Sequence, residues 1–140
     1  MRRNCGLAGI ISIFFTSAVF AQSEADYQGW MKMVAPTNQS LQRNVQSGLY
    51  GDTNSANLIP ADAQKLQDIF KQVEDFWQKR SAADAVNFAK QAQTAAAAVL
   101  KSTQAGNMDQ ASVDAKSLAA TCGGCHMAHR EGANGAFKIK

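Results

Sequence analysis

The chain is short of the residues that break helices and of the patterns that build sheets. Two prolines interrupt 140 residues, and no stretch alternates apolar with polar side chains strictly enough for a half-buried strand. No internal repeat is evident. Charge of one sign is also lacking: 14 basic against 11 acidic residues provide no concentrated basic face of the kind that neutralises nucleic-acid phosphates. Beyond the N-terminus no apolar run nears the roughly 20 residues needed to cross a bilayer. Cysteine is scarce as well, and Cys5, Cys122 and Cys125 are too few for a disulfide framework once the leader read below removes the first. What is there, 46% apolar and 18% charged residues, suits one globular domain better than a fibrous or disordered chain.

The N-terminus has its own pattern. Arg2 and Arg3 precede an apolar run from Leu7 to Phe20, broken only by Gly9, Ser12, Thr16 and Ser17, and Val19-Phe20-Ala21 follows as a small-residue site. That order predicts a secretory signal over residues 1–21, cleaved before Gln22, and hence an exported, periplasmic protein. An uncleaved membrane anchor is the alternative, and the run is short for it. Cys5 lies ahead of the run rather than at its end, so it is not placed for lipidation and leaves with the leader. The remaining residues 22–140 carry 12 basic and 11 acidic side chains.

Helical spacing organises the rest into four segments. From Pro60 to about Lys79, Ala63, Leu66, Ile69, Phe70, Val73, Phe76 and Trp77 line one face. Pro60 suits a first helical turn, and Asp62 would then sit near the positive end of the helix dipole. Ser81 to Asp84 reads as a capping-box variant opening the next helix, with Val86, Ala89, Ala92, Ala96, Val99 and Leu100 inward and Gly106 as terminator. From Met108, the residues Ala111, Ala115, Leu118, Cys122 and Cys125 keep helical spacing to about Arg130, and the last ten residues read as a frayed tail. An earlier helix spans about Ala25 to Ser47, where Pro36 is expected to kink or divide it. Gly48 to Asn57 is then the longest loop. Short connections favour antiparallel neighbours, so the expected fold is all-α, an up-down four-helix bundle over residues 22–140.

One motif carries chemistry: Cys122-Gly123-Gly124-Cys125-His126. Its form is that of a covalent haem c attachment site. Two thiols at this spacing can add across the two vinyl groups of one porphyrin, and the next residue offers an imidazole to the iron. Gly123 and Gly124 would remove side chains where the backbone hugs the porphyrin edge. The rivals are a thioredoxin-like pair, a zinc site and a structural disulfide. The first belongs near a βαβ pattern that is absent, and zinc asks for four ligands with no second cysteine pair to complete them. His129 could be a fourth ligand, but it shares one helical turn with His126.

This C-terminal motif, on the last of four helices, resembles that of the class II c-type cytochromes, cytochrome c′ and its low-spin relatives; class I cytochromes carry theirs near the N-terminus. The resemblance spans residues 24–131 and is most specific at Cys122 to His126 with Arg130 four residues on. Less specific are the helix lengths, the Phe76-Trp77 close of the second helix and a methionine in the first. It implies one covalent haem held by Cys122 and Cys125, with His126 as proximal iron ligand. Arg130 would contact a propionate or favour the negative end of its own helix.

The position opposite His126 decides between two functions. In low-spin relatives a first-helix methionine fills it and the implied job is electron transfer; thioether sulfur raises the potential and leaves no open site. In cytochrome c′ an apolar first-helix residue packs there, and the five-coordinate iron binds nitric oxide or carbon monoxide. The stretch Tyr27-Gln28-Gly29-Trp30-Met31-Lys32 is similar to the family's Arg-Gln-x-x-Met-Lys pattern, with Tyr27 in place of the basic residue. It matches Met31 to the ligand position. On a helical wheel Val34, Leu41, Val45 and Leu49 fall within about 80° of Met31, whereas Met33 lies about 160° away and should point outward. Ordinary core packing is the alternative for Met31. His129, three residues from His126, cannot reach the other face and is expected at the surface. Trp30, Phe70, Trp77 and Phe88 are expected in the core, one of them as a pocket wall.

The expectation is therefore an electron carrier and not an enzyme, serving redox partner proteins, with small gases as ligands if the distal side is open. A docking subunit of a larger redox complex is a third reading. No nucleic acid and no stable membrane insertion are expected, and the resemblance implies pairing of two copies through the first two helices.

Overall fold

The computed structural model describes residues 22–132 and 137–140. The expected leader over residues 1–21, with Cys5 and the approach to the cleavage point, lies outside the described residues. Four helices pack against one another: α1 (Glu24–Leu49), α2 (Thr53–Gln78), α3 (Ala83–Gln104) and α4 (Met108–His129). A two-residue antiparallel ladder follows, β1 (Arg130–Glu131) against β2 (Lys138–Ile139). The last residues are thus partly paired with the end of α4, where a frayed tail was the expectation.

Each helix starts and stops for local reasons, several of them not the expected ones. Ser23 opens α1 with a reciprocal capping box, its Oγ accepting from Asp26 N–H at 3.1 Å and its own N–H donating to the Asp26 carboxylate at 2.8 Å. Pro36 does not divide α1, which runs as one helix from Glu24 to Leu49. The backbone bond it forgoes is to the Lys32 carbonyl, and both residues are exposed, so the loss falls on the solvent side. Val34, Thr37 and Leu41 on the other side are buried and hold the helix through it.

The expected loop from Gly48 to Asn57 shrinks to Tyr50–Asp52. Asp52 caps α2, accepting from the N–H groups of Asn54 at 3.0 Å and Ser55 at 3.3 Å. Pro60 therefore lies about two turns inside α2 rather than in its first turn. The helix extends back past it because Ile59 is fully buried and Ala56 packs on the core. Asp62, away from the helix start, instead accepts from Asn44 Nδ2 at 3.1 Å and ties α2 to α1.

The three connections share one device. After α1, α2 and α3 a residue enters the left-handed region (Gly51 at φ 93°, Ser81 at φ 56°, Gly106 at φ 69°). The next N–H then reaches back over the helix end: Asp52 to Ser47 O, Ala82 to Trp77 O and Asn107 to Ser102 O, at 2.9–3.2 Å. Ser81 thus closes α2 instead of capping α3. Ala82 takes the cap position, with no side-chain bond to offer.

Pairs along the bundle fix its sense. Tyr27 meets Phe76 and Trp77, while Asn44 meets Asp62. His129 meets Asp84, while Ser102 donates to Asp114. Neighbours therefore run antiparallel, and α4 closes back on α1 where Gln42 Nε2 donates to Ala115 O at 2.7 Å. Leu41, Ile59, Leu66, Phe76, Val99 and Leu118 are fully buried between the helices. Small residues of α3 (Ala85, Ala89, Ala92, Ala96) and α4 (Ala111, Ala115) are buried as well and permit close approach. Among the described residues no helix is long and apolar enough to cross a membrane.

A serine in the left-handed region costs roughly 1 kcal/mol that glycine does not incur. Ser81→Gly should raise unfolding stability by about 0.5–1 kcal/mol. In urea this would read as a higher midpoint with an unchanged slope.

Candidate functional site

The start of α1, the end of α2, the start of α3 and the end of α4 meet at one end of the bundle. The last two turns of α4 bring Cys122, Cys125 and His126 to one side, because positions three and four apart share a helix face. All three are half-buried. They line a narrow cleft of about 40 Å³, with Tyr27, Met31 and Val34 of α1, Phe70 and Val73 of α2, Phe88 and Ala89 of α3, and Thr121 of α4. Every helix contributes a wall, and almost all of the surface is apolar.

The structure thus brings Met31 to the same cleft as the motif and leaves Met33 outside, 42% exposed, as the helical wheel predicts. Both Phe70 and Phe88 are walls, where one aromatic wall was expected, while Trp77 is buried outside the cleft and Trp30 is half-buried. Arg130 ends α4 in extended conformation. Its guanidinium lies over the Phe137 ring at 3.3 Å, with Nη1 3.4 Å from His126 Nδ1.

The two glycines of the motif differ. A Cβ on Gly123 would meet nothing, whereas one on Gly124 would fall 2.5 Å and 2.7 Å from two ring atoms of Phe88. Only Gly124 is required by packing, and the ring of Phe88 is the reason. Phe88 reads from sequence as one more apolar position, because the approach across 36 residues leaves no local signal.

Burial sets the protonation states. Burial pushes the Cys122 thiol up, and burial together with the Asp84 carboxylate and Cys122 pushes Cys125 up to about 11. Both are thiols, not thiolates, at neutral pH, the reverse of what a thioredoxin-like nucleophile needs. Burial and the Arg130 charge hold His126 below its ordinary 6.5. The imidazole is therefore neutral near pH 7, and its single ring lone pair serves either the Arg130 N–H at Nδ1 or a metal. Tyr27, stacked on Phe76 at 4.6 Å, is pushed up to about 12 mainly by burial and stays a neutral wall.

His129 stays out of the cleft, as expected, but it is more than a surface residue. Its Nε2 is 2.8 Å from Asp84 Oδ2, and its ring lies 4.7 Å from that of Trp77. The contact fastens the end of α4 to the start of α3, beside the motif. Each partner also suits its helix end, an acid at an N-terminus and a histidine at a C-terminus.

No family model matches this chain, no curated protein matches it, and no solved structure matches it. The site is accordingly read from its own chemistry. Among the described residues no three His, Cys, Asp or Glu side chains are gathered to hold a bare metal ion. The donors present suit a flat apolar macrocycle carrying a metal: two thiols on one helix face, a neutral imidazole beside them, a thioether on another helix, and apolar walls.

The His129 contact and nearby N–H groups hold the Asp84 carboxyl below its ordinary 3.8. A depressed acid contributes stability that is complete above its unfolded value and is lost as pH falls through its folded value. Asp84→Asn should therefore lower stability near pH 6 and leave a shallower decline from about pH 4 downward, read from denaturant midpoints across pH.

Proposed function

We propose that this chain is an exported, monohaem c-type cytochrome of the class II kind that carries single electrons. One observation carries the reading: Cys122, Cys125, His126 and Met31, drawn from α4 and α1, line a single apolar cleft. In this reading the Cys122 and Cys125 thiols hold the haem covalently, His126 is the proximal ligand and Met31 supplies sulfur on the α1 side. A haem bound there would supply a one-electron Fe(III)/Fe(II) couple.

The chain's own residues do the tuning. The walls from Val34, Phe70, Val73 and Phe88 exclude water and lower the local dielectric, which makes the extra charge of the oxidised state costlier. A thioether ligand works in the same direction and fills the last coordination position. His126 enters neutral and loses no proton on binding a metal. Arg130 is held between the Phe137 ring and His126, its remaining N–H groups the ones that would serve a propionate. Proteins able to give and take one electron are the partners this role requires. The leader expected from the sequence over residues 1–21 agrees with the reading, because covalent haem attachment in bacteria takes place outside the cytoplasm.

Absorption spectra of oxidised, reduced and carbon-monoxide-treated protein test the distal ligand. Wild type should be low-spin and unmoved by carbon monoxide, and Met31→Leu should turn high-spin with a lower potential. A high-spin wild type that shifts promptly with carbon monoxide would replace electron transfer with gas binding at an open distal side.

Attachment is tested separately. Wild type should keep its haem through a denaturing gel, and Cys122→Ala with Cys125→Ala should lose it. Haem persisting on the double variant, or missing from wild type matured in an export-competent host, would sink the covalent assignment.

A further inference from the structure

Nothing in the composition of Phe137 to Lys140 ties it to the site, yet its contacts converge there. The ladder pairs Arg130 with Ile139 and Glu131 with Lys138. The Lys140 N–H donates to His129 O at 3.2 Å, and its ammonium donates to Met127 O at 2.7 Å. Both carbonyls lie at the end of α4, where the helix itself offers no donors. Ile139 packs against the core. Four backbone and side-chain ties therefore fix Phe137 beneath Arg130.

Arginine at the end of a helix has many rotamers open to it. Here one is selected from two sides: the Phe137 ring at 3.3 Å from Cζ, and His126 Nδ1 at 3.4 Å from Nη1. The ring's negative face attracts the cation, which a purely aliphatic side chain of similar bulk would not do. A charge fixed at that distance from an imidazole polarises it. It draws electron density away from the ring and so weakens its donation to a bound metal, favouring the less positive oxidation state of that metal.

We propose that Phe137 is a positioning residue for the site: anchored by the C-terminal ladder, its ring holds the Arg130 guanidinium beside His126 and thereby biases the iron ligand electrostatically. The placement of Arg130 is a claim about the chain alone, and only its effect on potential rests on the haem reading above.

Two readouts on the full chain separate these parts. In unloaded protein kept reduced, NMR should show the Arg130 side-chain protons shifted upfield by the Phe137 ring, with contacts to the His126 ring protons. Phe137→Tyr should keep both signals, and Phe137→Leu should lose both. In haem-loaded protein, Phe137→Leu should lower the reduction potential in the same direction as Arg130→Gln, with Phe137→Tyr close to wild type. Phe137 is 38% exposed, so these variants should fold, as circular dichroism would verify; Phe137→Met replaces Phe137→Leu if it does not. Arg130 unshifted in wild type, or Phe137→Leu matching wild type in the NMR spectra or the potential, would overturn the proposal. So would Phe137→Tyr behaving as Phe137→Leu does. Wild type without covalent haem would instead overturn the functional reading while the NMR comparison still decides the placement.

Discussion

The chemistry-bearing end of α4 has almost no core of its own. The buried residues of that helix are Ala111, Ala115 and Leu118, all ahead of the motif. From Cys122 to His129, where the helix ends, every side chain is half-buried or exposed. A helix end in that condition is free to fray unless neighbours hold it. Here they do so by unequal means. The Asp84–His129 pair is short, but Asp84 is 59% exposed on its side chain, and exposed pairs contribute little. The stronger hold is apolar. The His129 ring lies against Trp77, which is 3% exposed and packed edge-on to both Tyr27 and Phe76. Phe88 covers Gly124 from α3, and the C-terminal ladder closes the remaining side.

That arrangement has chemical consequences. An anchored helix end can keep reactive groups half out of water, and half-buried groups favour their neutral forms. The same desolvation that raises both thiols lowers His126. Thiols kept protonated make a poor redox pair, whereas a neutral imidazole makes a ready metal ligand. One physical cause thus sets the protonation state of all three side chains of the motif.

What was legible in the sequence was periodic or local. The apolar face from Leu66 to Trp77, the inward alanines of α3 and the outward turn of Met33 all follow from 3.6 residues per turn. The misreadings came where a local signal met a long-range one. Pro60 looks like a helix start, and only the burial of Ile59 against other helices carries α2 back to Thr53. Ser81 looks like a cap three residues before Asp84, but the end of α2 claims it for a left-handed turn, and Asp84 turns to His129, 45 residues away. Phe137 and Lys140 look like a solvated tail because their partners, Arg130 and Met127, belong to the helix they fold back on. Such contacts have no period and leave no trace in spacing.

The meeting of Met31 and the motif in one cleft depends on register as much as on helix phase. Along α1 and α4, Gly48 lies across from Met108 and Gln42 across from Ala115, and Met31 and His126 share the cleft. Going from Gln42 to Met31 and from Ala115 to His126 takes the same number of residues, so two antiparallel helices in step bring the last pair to one height. Pro36 lies within that interval. A kink there would turn the first three turns of α1 and carry Met31 off the cleft. The unbroken course of α1 through Pro36, held by Val34, Thr37 and Leu41 on the buried side, is therefore part of how the site is built, and the freed Lys32 carbonyl on the solvent side is what makes that course tolerable.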